Sequence, residues 1–153
     1  MKVQIGFYKG KGGIIDYLVR FFTFSKFSHC AIITRRTSNY MCGFTALPFR
    51  GVDYFEQYYD KNEWEFFDTN TSNVNLIDFY YKTKDCKYDY CGCINCVIKF
   101  HQHKNRYFCS EWCAEFLKLD KPETYTPQKL YEYFFNFKAS LNLQCIRFLH
   151  LLL

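Results

Sequence analysis

Glycine and proline are scarce in this sequence, and neither sign of charge dominates it. Glycine and proline number 7 and 3 among 153 residues, which excludes a collagen-like repeat or a low-complexity linker. The 20 basic residues exceed the 15 acidic ones only slightly, for a formal net charge of +5, and they are spread along the chain. This charge gives no support for a nucleic-acid partner. Because 49% of the residues are hydrophobic and 22% aromatic, we expect one folded core.

Long hydrophobic runs are also lacking. No stretch approaches the roughly 20 apolar residues that cross a bilayer, and Met1–Tyr8 alternates polar and apolar residues without a signal-peptide core. We therefore expect a cytoplasmic protein whose nine cysteines are reduced. Residues 1–138 are predicted to form one domain, and residues 139–153 an apolar C-terminal tail packed on it.

Hydrophobic periodicity predicts an α+β domain. Apolar residues at alternate positions, or in short buried runs, predict strands at Val3–Phe7, His29–Thr34, Tyr40–Thr45 and Glu63–Phe67. Apolar residues at helical spacing predict helices over Ile14–Phe22, Leu76–Tyr80, Tyr90–Ile98 and Trp112–Leu117. A further helix is expected to begin at Thr126 and Pro127, because threonine caps helices and proline suits the first helical position.

Cys109 lies where the polar stretch His101–Arg106 gives way to a helical pattern. A thiol at a helix N-terminus is next to the positive end of the helix dipole and to unpaired amide groups. Both lower the pKa of the thiol and can hold a developing oxyanion. Cys109 is therefore a candidate nucleophile. The alternative is that it is a small buried apolar residue like Cys113.

A cysteine nucleophile needs a base, and the chain has only four histidines. His29 begins an apolar strand, so the backbone can fix its ring. His101 and His103 lie in a polar segment, and His150 lies in the apolar tail. We therefore assign the base to His29, against the alternative of a hydrogen-bonded core histidine.

Three segments together resemble the circularly permuted papain-like hydrolases of the NlpC type, especially small phage and viral members. They are Phe27–Ile33, Lys87–Gly92 and Phe108–Glu111, the last followed by an apolar helix. The resemblance extends to the related YiiX-like and lecithin:retinol acyltransferase-like families. It implies an antiparallel sheet that carries the histidine and packs against a helix starting at the nucleophilic cysteine. The histidine precedes the cysteine, here by 80 residues.

The resemblance also implies a third polar residue on the next strand, which orients the histidine. The strand Tyr40–Thr45 contains no acid or amide. Thr45 is our choice for this role, with Cys42, Asn39 and a backbone carbonyl as alternatives. Tyr88 falls at a position that lies near the cleft in such proteins, so it is expected to line the substrate site or to donate to the oxyanion.

A structural zinc site is the main alternative use of the cysteines. Five soft ligands lie within a short segment: Cys91, Cys93, Cys96, His101 and His103. Their spacing lacks the second paired half of a zinc ribbon or finger, and we expect neither a metal nor another cofactor.

The function expected from these residues is that of a cysteine hydrolase. It would cleave an amide bond of a peptide, isopeptide or peptidoglycan peptide, or an ester, through a Cys109 thiolate activated by His29. One alternative is a lipid-directed thiol acyltransferase or hydrolase at a membrane surface. Another is a binding module that has kept the fold without the chemistry. The expected partner is a peptide-like or acyl substrate.

Overall fold

The structure, a computed structural model, describes residues 2–90 and 105–150, with side chains described as far as residue 140. Its strands are β1 Lys2–Tyr8, β2 His29–Arg36, β3 Tyr40–Leu47, β4 Gly51–Tyr58, β5 Trp64–Ser72, β6 Lys87–Tyr88 and β7 Arg106–Tyr107. Its α-helices are α1 Ile14–Thr23, α2 Asn73–Thr83, α3 Cys109–Phe116 and α4 Pro127–His150. Short 3₁₀ turns cover Lys61–Glu63 and Pro122–Thr124. These elements confirm the predicted α+β class.

The main sheet has five antiparallel strands in the order β4-β3-β2-β1-β5. β2 lies at its centre, and its run Cys30–Ile33 is almost fully buried, as expected for a strand covered on both faces. His29 opens this strand, opposite Tyr8 of β1. The two-stranded parallel pair of β6 and β7 leads into α3.

The helix α3 packs on one face of the main sheet and is tied to its neighbours by side-chain hydrogen bonds. Cys30 and Ile32 of β2 share a core with Trp112 of α3, whereas Ala31 and Ile33 face a second cluster. The indole N–H of Trp112 donates to Thr83 Oγ1 at the end of α2 (2.9 Å). These contacts fix the N-terminus of α3 against β2.

Several predicted elements have different bounds in the structure. β4 was not predicted, because Gly51–Tyr58 lacks regular alternation and its pairing with β3 is a tertiary contact. The strand predicted from Glu63 begins one residue later, since the side chain of Asp60 caps a 3₁₀ turn by accepting from Asn62 N–H (2.8 Å). The predicted helix Tyr90–Ile98 lies outside the described residues except at Tyr90.

The helix start at Thr126 and Pro127 is confirmed. α4 begins at Pro127, and Thr126 Oγ1 accepts a hydrogen bond from Lys129 N–H (3.2 Å), as a capping threonine does. The helix then continues without interruption to His150, so residue 139 is not an element boundary. Among the described helices, none is long and apolar enough to cross a membrane.

Candidate active site

Cys109 is the first residue of α3. Phe108 precedes it in an extended conformation, and its backbone N–H donates to the carboxylate of Glu111 (3.4 Å). Glu111 thus serves the first turn of the helix. The backbone N–H of Cys109 belongs to the first turn, where amides have no acceptor within the helix. The residue therefore offers a thiol and an adjacent amide donor at the positive end of a helix.

His29 is brought to this helix by the central strand of the sheet. Ser28 N–H donates to Tyr8 O (3.0 Å), which continues the β1–β2 pairing up to the histidine. His29 is half-buried, and its charge and hydrogen bonding both act on the Cys109 thiol. The two residues that the sequence analysis assigned as base and nucleophile therefore meet at the junction of β2 and α3.

The surroundings of Cys109 favour its thiolate. Burial opposes ionisation, but three interactions together lower the pKa of Cys109 well below its usual value. They are hydrogen bonding to the Cys30 side chain, the positive charge and hydrogen bonding of His29, and a hydrogen bond to the Cys30 backbone. A thiol with a depressed pKa beside an imidazole is what nucleophilic cysteine chemistry requires.

Cys30 is a partner that the sequence analysis missed. Its thiol is fully buried, and burial together with its interactions with Cys109 and Cys113 raises the pKa of Cys30 well above normal. Of the two neighbouring thiols, Cys109 is therefore the one that favours ionisation, because the histidine charge lowers its pKa and it opens a helix. The signal in the sequence was the position of Cys30 next to His29 in a buried strand.

Cys109 has no exposed surface, whereas His29 borders a cleft. The side chain of Cys109 is 0% exposed. His29 and Tyr88 line a cleft of about 1230 Å³, together with residues of α1 and of the turn between β3 and β4. His29 is thus part of the cleft lining, whereas Cys109 is buried and does not line the cleft.

Tyr88 lines the cleft and packs against the residue that precedes Cys109. It is buried in β6, and its ring packs against Phe108 with a centroid distance of 5.9 Å. Asp89 N–H donates to Tyr107 O (2.9 Å), which fixes this segment against β7. The placement agrees with a substrate-lining role for Tyr88, and its donation to an oxyanion stays a prediction.

The hydroxyl of Thr45, the predicted orienting residue, bonds to the residue next to His29. Its hydroxyl is fully buried and donates to the backbone carbonyl of Cys30 (2.8 Å). The alternative Cys42 pairs with Arg35, about 20 Å along β2 from His29, which is too far for a hydrogen bond to the histidine. The alternative Asn39 lies in the turn between β2 and β3 and lines the same cleft as His29, and the role of Thr45 stays a prediction.

A polar network that the sequence analysis did not foresee holds the residue before the histidine. The hydroxyl of Ser28 donates to Asp16 Oδ1 (2.7 Å) and accepts from Arg20 Nη1 (3.1 Å). Arg20 also donates to the carbonyls of Gly10 (2.7 Å) and Lys11 (2.6 Å). The network joins α1 and the loop before it to the start of β2, and so fixes the backbone beside His29.

The cysteines and histidines weighed as zinc ligands, Cys91, Cys93, Cys96, His101 and His103, lie outside the described residues. Within the part of the chain that the structure describes, no group of three His, Cys, Asp or Glu side chains is arranged to hold a metal ion. Comparison with known proteins finds no matching protein-family model and no curated protein with significant similarity.

Proposed function

We propose that this protein is a cysteine hydrolase with a permuted papain-like fold, in which His29 activates Cys109 to cleave an amide or ester bond. The observation that carries the proposal is the depressed pKa of Cys109, at the N-terminus of α3 and beside His29. The order of the two residues along the chain, with the histidine on a central strand and the cysteine opening a helix, supports the same assignment.

In the proposed reaction the Cys109 thiolate attacks the substrate carbonyl carbon and forms an S–C bond. The backbone N–H of Cys109 donates to the oxyanion of the tetrahedral intermediate. Protonated His29 gives its proton to the leaving amine or alcohol as the C–N or C–O bond breaks. Water then attacks the thioester, passing a proton to His29, and the acid is released with Cys109 regenerated.

The burial of Cys109 favours a second candidate, a binding module on the same fold. A thiol with no exposed surface meets a substrate carbonyl only if the cleft wall near His29 and Tyr88 moves. A protein that has lost its activity has no need for that movement, while its cleft can still hold a ligand. The two candidates differ in whether a small electrophile reaches Cys109.

The pH dependence of Cys109 alkylation by iodoacetamide distinguishes them, with each labelled cysteine identified by mass spectrometry. Cys86 is the internal reference, because it is more exposed than Cys109 and burial together with nearby Asp85 raises its pKa. For a hydrolase we expect Cys109 to react at least about tenfold faster than Cys86 at pH 6, since an ordinary thiol is well under 1% ionised there. His29→Ala should remove that advantage.

The opposite result would support the binding module. Labelling of Cys109 that stays slower than that of Cys86 from pH 6 to pH 9, and that is indifferent to His29→Ala, contradicts the hydrolase. Fast labelling that depends on His29 instead justifies a substrate screen across amides, esters and thioesters. Cys109→Ser is the blank in either case, because it removes the assigned site and leaves the other thiols in place.

A further inference from the structure

The outward face of α1 is an exposed apolar surface. Six large apolar side chains of this helix and of the residue after it are between 39% and 89% exposed: Ile14, Tyr17, Leu18, Phe21, Phe22 and Phe24. Within the helix only Val19 and Thr23 are buried. A contiguous apolar patch of this kind on a folded protein marks an interaction site.

The charged residues of α1 do not interrupt this face. Asp16 and Arg20 are the charged side chains of the helix, and both are engaged by the network around Ser28. Phe24 extends the apolar face beyond the last turn. Its backbone is in the left-handed region, with φ of 48°, which is uncommon for a residue other than glycine. The outward face is therefore entirely apolar, and it is rich in aromatic rings.

The shape and the surroundings of this face fit a membrane surface better than a peptide. It is a convex helix rather than a groove, and its ten residues are too short to span a bilayer but suit the interfacial plane. Lys11, just before the helix, is exposed, whereas Lys26 after it is 58% exposed but pairs with Glu65 (3.0 Å). Lys11 and the net charge of +5 complement anionic headgroups.

A second exposed aromatic residue lies across the cleft from α1. Phe49, in the turn between β3 and β4, is 85% exposed, and its φ is 65°. Its neighbours Pro48 and Arg50 line the same cleft as Ile14 and His29. The cleft is therefore bordered both by α1 and by the turn that carries Phe49.

We propose that the apolar face of α1, together with Phe49, docks this protein on an anionic lipid surface with the cleft that contains His29 next to the bilayer. Aromatic and aliphatic side chains enter the headgroup boundary, where their apolar surface is removed from water. Lys11, at the N-terminal end of the helix, contacts the headgroups. The docking does not depend on the proposed hydrolysis, since a binding module with the same surface would dock in the same way.

Vesicle flotation of the full chain tests this surface. The vesicles are phosphatidylcholine alone and phosphatidylcholine with phosphatidylserine. The salt concentration is about 0.1 M, at which salt only partly screens the attraction between the protein and the anionic surface. We expect the wild type to float with the anionic vesicles and the double variant Phe21→Ser/Phe24→Ser to lose at least about tenfold in partitioning. The matched control is Val74→Ser/Tyr81→Ser on α2, which removes equally exposed apolar side chains elsewhere and should bind as the wild type does.

Three results would overturn the proposal. They are no flotation of the wild type with anionic vesicles, equal loss in the α1 and α2 variants, and a wild-type dimer by light scattering that the α1 variant converts to a monomer. The last would show that a second copy covers this face.

Phe24→Trp gives a readout without loss of apolar surface. Brominated lipid should quench the fluorescence of the new tryptophan, whereas Trp64 and Trp112 are buried. Absence of quenching contradicts the docking even if a serine variant fails to fold.

Discussion

Two consecutive residues at the start of β2 act on the same thiol. His29 supplies a positive charge to Cys109, and Cys30 supplies a hydrogen bond to it. Because Cys30 is fully buried, its own ionisation is suppressed, so it acts as a donor and not as a second nucleophile. A thiol donor inside an apolar core stabilises an anion more than it would in water.

Removal of the Cys30 thiol should therefore destabilise the Cys109 thiolate without abolishing it. In Cys30→Ala we expect the midpoint of Cys109 alkylation to move up by about one to two pH units, since a hydrogen bond to a charged group is worth about 1.5–3 kcal/mol. The control is Cys113→Ala, an equal truncation one turn along α3, which should leave the midpoint in place. An equal shift in both variants would indicate general loosening of the core.

Whether Thr45 orients His29 can also be tested by a single substitution. Its hydroxyl donates to the Cys30 carbonyl (2.8 Å), so Thr45→Val leaves a buried acceptor with one partner fewer. We expect a loss of about 1 kcal/mol in the free energy of unfolding and no change in the alkylation midpoint. Thr34→Val, which removes a hydroxyl that donates across the same two strands to Cys42 O (3.2 Å), is the control. A midpoint that rises only in Thr45→Val would assign Thr45 to orienting His29.

At the scale of elements, the close approach of β2 and β3 depends on Gly43. A methyl group at this position would lie 2.2 Å from the backbone oxygen of Ile32. A backbone atom cannot move aside as the end of a flexible side chain can. Gly43→Ala should destabilise the protein by roughly 1–3 kcal/mol and disturb the strand that carries His29. Urea unfolding followed by tryptophan fluorescence measures the loss.

The control for this substitution is Gly13→Ala, where an added methyl group meets no atom within 4 Å. If Gly43→Ala is no more destabilising than Gly13→Ala, then β2 and β3 are not packed as closely as this register requires.

Several elements could be predicted because their signals are local. The buried run of β2, the spacing of α1 and the cap of α4 are each signalled by residues that are only a few positions apart in the chain. β4 could not be predicted, because it is recognisable only by its partner β3. The apolar spacing of α1 correctly indicated a helix, but not that most of its apolar residues remain exposed.

At the scale of the whole molecule, Glu65 joins three parts of the chain. Its carboxylate accepts from Lys9 (2.9 Å), from Lys26 (3.0 Å) and from the hydroxyl of Tyr131 on α4 (2.8 Å). Burial on its own would raise the pKa of Glu65, but these hydrogen bonds and the lysine charges lower it to about 2. The carboxylate thereby links α4 to the sheet.

Because of this linkage, the free energy of unfolding should fall as the solution becomes acidic. The pKa of Glu65 is lower in the folded state than its ordinary value of 4.5, so its contribution is complete above pH 4.5 and is lost as the pH falls towards 2. Glu65→Gln should cost about 1–2 kcal/mol at pH 7, allowing for solvent screening. The difference from wild type should shrink steadily below pH 4.5.

The matched control is Asp68→Asn on the same strand, an exposed residue whose side-chain oxygen still accepts from Gln4 Nε2 (2.8 Å). It should change the free energy of unfolding by less than about 0.5 kcal/mol. A constant deficit in Glu65→Gln from pH 7 to pH 2 would show that the loss comes from packing and not from charge.

The sequence by itself determined the class of fold, the strand that begins with His29 and the helix that begins with Cys109, because periodicity and capping depend on residues adjacent in the chain. The tertiary structure alone decided that Cys30 joins His29 at the Cys109 thiol, that Thr45 donates to Cys30, and that α1 turns its aromatic face outward. These are contacts between elements distant in sequence, and their partners are chosen by sheet register and helix packing. Neither sheet register nor helix packing is encoded in a local sequence pattern.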